Sequence, residues 1–127
     1  MYGARVVATP ERRVKDKCVK VLRRLGAYYF FPAASPYGRR GIPDLIACYR
    51  GKFIGIECKA GRNKATKLQV IELDKIETAG GASRIVDDET DWDELEGWLR
   101  RVASEAQGQG DIPPELASAY LDDGGFQ

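Results

Sequence analysis

Asp44, Glu57 and Lys59 lie in one stretch, GIPDLIACYRGKFIGIECKAG over residues 41–61, whose two apolar runs meet at Arg50-Gly51. Apolar runs joined by a short glycine-containing loop read as a β-hairpin. With a two-residue turn at Arg50-Gly51, Tyr49 faces Lys52 and the partners step back along both strands until Asp44 lies opposite Glu57. A four-residue turn centred on the same bond keeps this register, whereas a three-residue loop destroys it. Directly opposed residues share a face, with Cβ atoms about 4.5–5.5 Å apart. Lys59 returns to that face two residues beyond Glu57, while Ile54, Ile56 and Cys58 alternate toward the core. Two opposed carboxylates repel each other unless something positive stands between them. A hard divalent cation fills that place well, because Mg²⁺ is held by one or two carboxylates while keeping waters and phosphate oxygens. Lys59 adds a second positive charge beside it.

Other chemistry is excluded by composition. The chain contains no histidine, which removes Ser-His-Asp and Cys-His nucleophilic schemes, histidine zinc sites and a histidine general base. Its three cysteines, Cys18, Cys48 and Cys58, are odd in number, far apart and set among apolar neighbours, so they read as reduced, buried thiols. The formal net charge of +1 conceals a division: residues 1–67 carry 16 basic and 4 acidic side chains, and residues 68–127 carry 4 and 15. A half at +12 holding Arg12, Arg13, Arg23, Arg24, Arg39, Arg40, Arg62, Lys64 and Lys67 is the electrostatic footprint of a protein that meets a polyanion. The helical arginines can equally be a solvated face. Arg39 and Arg40 stand apart from them, in a glycine- and proline-rich loop leading into Asp44.

The elements that must position these residues are punctuated clearly. Thr9-Pro10 is an N-cap followed by proline at the first helical position, and Val14, Cys18, Val21, Leu22 and Leu25 recur at helical spacing until Gly26. Glu11, three residues before Val14, lies where the buried stripe begins, although the helix dipole alone also favours an acid there. AYYFF reads as a short strand, ASPYGRRG as a loop, and residues 44–49 and 52–59 as the hairpin strands. Thr66 caps a second helix running to about Ala79, with Gln69 at the margin of its apolar face, and SRIVD is the last strand. Thr90 opens an amphipathic helix with Trp92, Leu95, Leu99, Val102 and Ala106 on one face. The segment after residue 107 reads as a linker and a short helical piece at Pro114–Leu121. A chain of 127 residues is the size of one domain. No stretch is long and apolar enough to span a bilayer, and the first residues lack a signal-peptide layout, so the expected location is intracellular and cytoplasmic.

GIPD, twelve residues, then ECK, within the order α-β-β-β-α-β, resembles the PD-(D/E)xK nuclease superfamily. The arginine-glycine loop before the motif, the GIECKA surroundings and a glutamine in the following helix resemble its VRR-NUC branch in particular. The resemblance spans about Thr9 to Asp87 and implies a restriction-endonuclease-like α/β core, with a mixed sheet flanked by helices, extended here by an extra C-terminal helix. The expected division of the chain is a nuclease domain over residues 1–107 and a linker and tail over residues 108–127. The resemblance further implies that Asp44, Glu57 and the backbone carbonyl of Cys58 hold Mg²⁺ or Mn²⁺, with Glu11 joining directly or through water. Lys59 then positions or activates a water, and Glu11 and Gln69 are accessory. Free-standing members of the branch act as homodimers on branched DNA. The expected function is therefore metal-dependent, structure-specific DNA cleavage on substrates such as four-way junctions, with Arg39, Arg40, Arg62, Lys64 and Lys67 on the DNA and no small-molecule cofactor. The alternatives are a non-cleaving DNA-binding module of the same fold and a nuclease of flaps or single-strand ends. Candidate dimer surfaces are Trp98, off the main stripe of the last helix, and Leu116, Tyr120, Leu121 and Phe126 in the tail. Two departures from the branch, Cys58 between the glutamate and the lysine and the acidic C-terminal part, bear on substrate preference.

Overall fold

The computed structural model describes residues 8–34 and 37–108. The elements run α1 (Pro10–Leu25), β1 (Tyr28–Phe30), β2 (Leu45–Tyr49), β3 (Lys52–Cys58), α2 (Lys67–Thr78), β4 (Ala82–Val86) and α3 (Trp92–Gly108). The four strands form one sheet in the order β1-β2-β3-β4, antiparallel except for the parallel pair β3–β4. The protein is thus an α/β domain with an α-β-β-β-α-β core and one further helix. The expected tail, including Pro114–Leu121, Leu116, Tyr120 and Phe126, lies outside the described residues.

Local chemistry accounts for each element that carries the site. Thr9 accepts a hydrogen bond from the Arg12 amide, Pro10 opens α1, and Gly26 closes it by donating to the carbonyls of Arg23 and Leu22. At α2, Thr66 and Gln69 form a reciprocal capping box: the Thr66 hydroxyl accepts from the Gln69 amide and the Gln69 side-chain carbonyl accepts from the Thr66 amide at 2.8 Å. The cap of α3 is Asp91, whose carboxylate accepts from the amides of Asp93 and Glu94. Thr90, the opener expected from the sequence, instead accepts from the Asp87 amide at 2.9 Å through its hydroxyl and closes the preceding turn. The hairpin turn is the two-residue type: Arg50 and Gly51 have φ of 51° and 83°, the left-handed pair that matches strand twist.

The core lies between the sheet and the α1–α3 layer. Val14, Cys18, Val21 and Leu22 of α1 and Leu95, Leu99 and Ala103 of α3 meet Leu45, Ala47 and Tyr49 of β2 and Ile54, Ile56 and Cys58 of β3. On the other face α2 packs over β3 and β4 among the described residues. Close approach there depends on Gly55, since a Cβ at that position would stand 2.5 Å from Cδ1 of Ile76 and 3.2 Å from Cγ of Pro43. Because α2 stops short of β2, Cys48 is exposed; the expectation of three buried thiols holds for Cys18 and Cys58 only. Trp98 is also not an open surface, since it packs against the core and carries the Arg84 guanidinium 5.3 Å from its ring centroid. Opposite charges of the two halves pair within the chain, in Arg24–Glu96 at 2.7 Å and Arg39–Glu72 at 3.1 Å. Among the described residues, no helix is long and apolar enough to cross a membrane.

Candidate active site

The hairpin register observed is the one the two-residue turn dictates, Tyr49 against Lys52 through Leu45 against Ile56. Asp44 and Glu57 are the next pair, and there side chains take over from the ladder. The Asp44 amide donates to Oε1 of Glu57 at 3.1 Å, and the Cys58 amide donates to Oδ2 of Asp44 at 2.9 Å. Each carboxylate therefore holds the opposite strand, and the two are locked together where β2 begins and β3 ends. The Lys59 amide then bonds the Val86 carbonyl at 2.8 Å, which ties the segment to β4.

This exchange leaves one oxygen of each acid turned toward a cation. Lys59 Nζ lies 3.2 Å from Oε2 of Glu57, and Lys15 Nζ lies 3.7 Å from Oδ1 of Asp44. Glu57 is 1% exposed. Burial raises its pKa above the ordinary carboxylate value, the negative charge of Asp44 raises it further, and Lys59 offsets only part of this. The buried Cys58 thiol is pushed up as well, first by its hydrogen bond with Cys18 and then by desolvation. The Cys58 side chain is packed in the core, so what it can offer a cation on the carboxylate face is its backbone carbonyl.

The remaining expected site residues separate into those gathered here and those held elsewhere. Glu11 approaches through α1, where Lys15 stands 3.9 Å from its Oε1 and so bridges Glu11 to Asp44. Among the described residues no third acidic, cysteine or histidine side chain converges with Asp44 and Glu57 to form a three-ligand group. Gln69 is engaged by the Thr66 cap through its carbonyl. Arg39, Arg40, Arg62, Lys64 and Lys67 are all exposed, but Arg39 is tethered to the buried Glu72. Two participants were not singled out in the sequence, Lys15 and Glu72. The signal for Lys15 was its position four residues after Glu11, which stacks the two on one helix face. A cleft of about 320 Å³ opens beside Asp44 and Lys15, bordered by Phe31, Arg39 and Pro43.

Paired carboxylates with a lysine, next to an exposed basic surface, form a constellation for phosphodiester chemistry. No family model matches the chain. A curated relative, described as "Putative nuclease p44" from Acyrthosiphon pisum secondary endosymbiont phage 1, is 38% identical over 80 residues, covering 61% of this chain and 82% of the relative. The chain belongs to the family of that phage protein.

Proposed function

We propose that the protein is a metal-dependent DNA endonuclease of the PD-(D/E)xK superfamily, in its VRR-NUC branch, acting as a homodimer on branched DNA such as four-way junctions. The observation that carries this reading is the mutual latch of Asp44 and Glu57, with Lys59 against the buried glutamate. The donor set suits Mg²⁺ or Mn²⁺. Two adjacent carboxylates and a backbone carbonyl are the hard oxygen ligands these ions take, and a cation would relieve the Asp44 repulsion that adds to burial in raising the pKa of Glu57. Asp44, Glu57 and the Cys58 carbonyl would hold it, with Glu11 reached across Lys15.

A divalent cation bound there supplies polarisation of the scissile phosphate and a lowered pKa for a bound water. The chain's own residues do the rest. Asp44 and Glu57 fix each other's orientation through backbone amides, so their geometry is set before substrate arrives. Lys59, close to Glu57, orients the attacking water or offsets charge that develops on the phosphate. Arg40, Arg62, Lys64 and Lys67, which form no ion pair among the described residues, follow the phosphate backbone without reading bases.

The test is incubation with labelled four-way, flap and linear DNA in Mg²⁺, Mn²⁺ or EDTA. Cleavage of branched forms that EDTA abolishes is the expected result. Binding without cleavage in either metal would make the protein a non-cleaving DNA-binding module. Light scattering tests the dimer: a monomer mass both free and on a four-way junction would remove the junction reading and leave flaps or single-strand ends as substrate.

A further inference from the structure

Half of one sheet face carries no helix among the described residues, because α2 lies over β3 and β4 and leaves β1 and β2 open on its side. The strand register states what stands there. Tyr28, Cys48 and Phe53 form one cross-strand row, Phe30, Ile46 and Gly55 the next, and Asp44 with Glu57 comes directly after. Tyr28, Phe30 and Phe53 keep 70%, 46% and 49% of their surface in solvent. The Tyr28 and Phe30 rings are tilted by 57° with centroids 6.3 Å apart, so they are not stacked face to face on each other.

Contiguous exposed apolar surface marks a binding site, and the chemistry of this one is specific. Its exposed members are chiefly aromatic, and cations border them. Arg39 and Lys75, with Glu72 paired to Arg39 at 3.1 Å, line a groove of about 380 Å³ beside Phe53, and Arg39 also borders the cleft at Asp44. Planar rings beside fixed cations suit a ligand of planar groups strung on a polyanion, which is a strand of unpaired nucleotides. A twofold contact with a second copy through this face would instead bring each subunit's Arg39 and Lys75 toward those of its partner.

We propose that Tyr28, Phe30 and Phe53 form a stacking platform for unpaired DNA bases on the way to the carboxylates, with phosphates against Arg39 and Lys75, so that the protein selects branched DNA with a single-stranded segment at the branch. This rests on the nuclease reading of Asp44 and Glu57. The test uses the full chain in EDTA and two fluorescent oligomers of equal length and charge, one of thymidines and one abasic. Parent protein binds the thymidine oligomer more tightly. Tyr28→Ala with Phe53→Ala weakens that binding about five-fold or more for each stack lost, leaves abasic binding unchanged, and Tyr28→Phe with Phe53→Tyr restores the preference. Equal binding of both oligomers by the parent, or an unchanged preference in the alanine pair, overturns the platform. A dimer that the alanine pair dissociates, without any base preference in the parent, also overturns it and assigns the face to a second copy. Cleavage in Mg²⁺ or Mn²⁺ separates the two readings. A parent that prefers thymidines but cuts no DNA keeps the platform and loses the nuclease site. If the alanine pair cuts flap and duplex at the parent's rates, the site stands and the platform falls.

Discussion

Replacing Gly41 with alanine should damage fold and activity together, by an amount the structure allows to be worked out. Gly41 has φ of +84°, and a Cβ there would lie 2.7 Å from both the carbonyl carbon and oxygen of Leu68 and 2.9 Å from the amide nitrogen of Gln69. All three are backbone atoms of the first turn of α2, so no side chain can swing aside. The left-handed conformation costs an alanine about 1–2 kcal/mol, and overpacking against atoms that cannot yield adds about 1–3 kcal/mol. The total of about 2–5 kcal/mol is a large share of a typical stability of about 5–15 kcal/mol, yet leaves a folded protein. Gly51 supplies the control, because its φ of +83° is nearly the same and nothing lies within 4 Å of its Cβ position; Gly51→Ala should show the conformational cost alone. Relief of the clash moves the loop by about 0.7 Å, from 2.7 Å toward an ordinary 3.4 Å contact, three residues before Asp44. A displacement near 1 Å at reacting groups can cost about 100-fold in rate, so cleavage should fall by ten-fold or more in Gly41→Ala and stay near the parent value in Gly51→Ala. Urea unfolding with cleavage assays on both variants measures this. Unfolding free energies for the two variants within about 0.5 kcal/mol of each other would refute the reasoning.

Further outcomes follow from the site and the basic residues near it. Asp44→Asn and Glu57→Gln should abolish cleavage without loss of stability; cutting by either variant near the parent rate would remove the assignment. Because the pKa of Glu57 is raised from 4.5, its contribution favours the folded state below that pH and is lost as pH rises through the folded value; in EDTA, the stability of Glu57→Gln relative to parent should therefore grow above pH 4.5, and a pH-independent difference would contradict the burial argument. Lys59→Ala should leave DNA affinity close to the parent's while turnover stops, and an equal loss of both would make Lys59 a phosphate anchor. Arg40→Ala should weaken binding to all sequences alike and reduce the salt slope by about one. Arg39→Ala should do the same and also cost about 1–3 kcal/mol of stability, because the buried Glu72 loses its partner; titrations at several salt concentrations and urea unfolding separate the two.

Interactions confined to a few residues were legible in the chain itself. The hairpin register follows from a two-residue turn, and with it the meeting of Asp44 and Glu57, since each step along one strand matches a step along the other. The Thr66–Gln69 capping box was equally written in the spacing, since a threonine cap followed three residues later by glutamine sets each side chain on the other's backbone amide. At α3, Thr90 and Asp91 are both good caps, and only the competing bond from the Asp87 amide decided between them. What the sequence could not state is which distant groups meet. Lys15 reaches Asp44 because α1 crosses the end of the sheet, Glu72 is buried beneath Arg39 because α2 faces the loop before β2, and Cys48 with its aromatic neighbours is open because α2 covers β3 and β4 alone. Periodicity tells which side of a strand or helix is apolar, but both faces of this sheet carry apolar residues. Only the packing of α1 and α3 on one face, and the landing place of α2 on the other, determined which of them form core and which remain as surface.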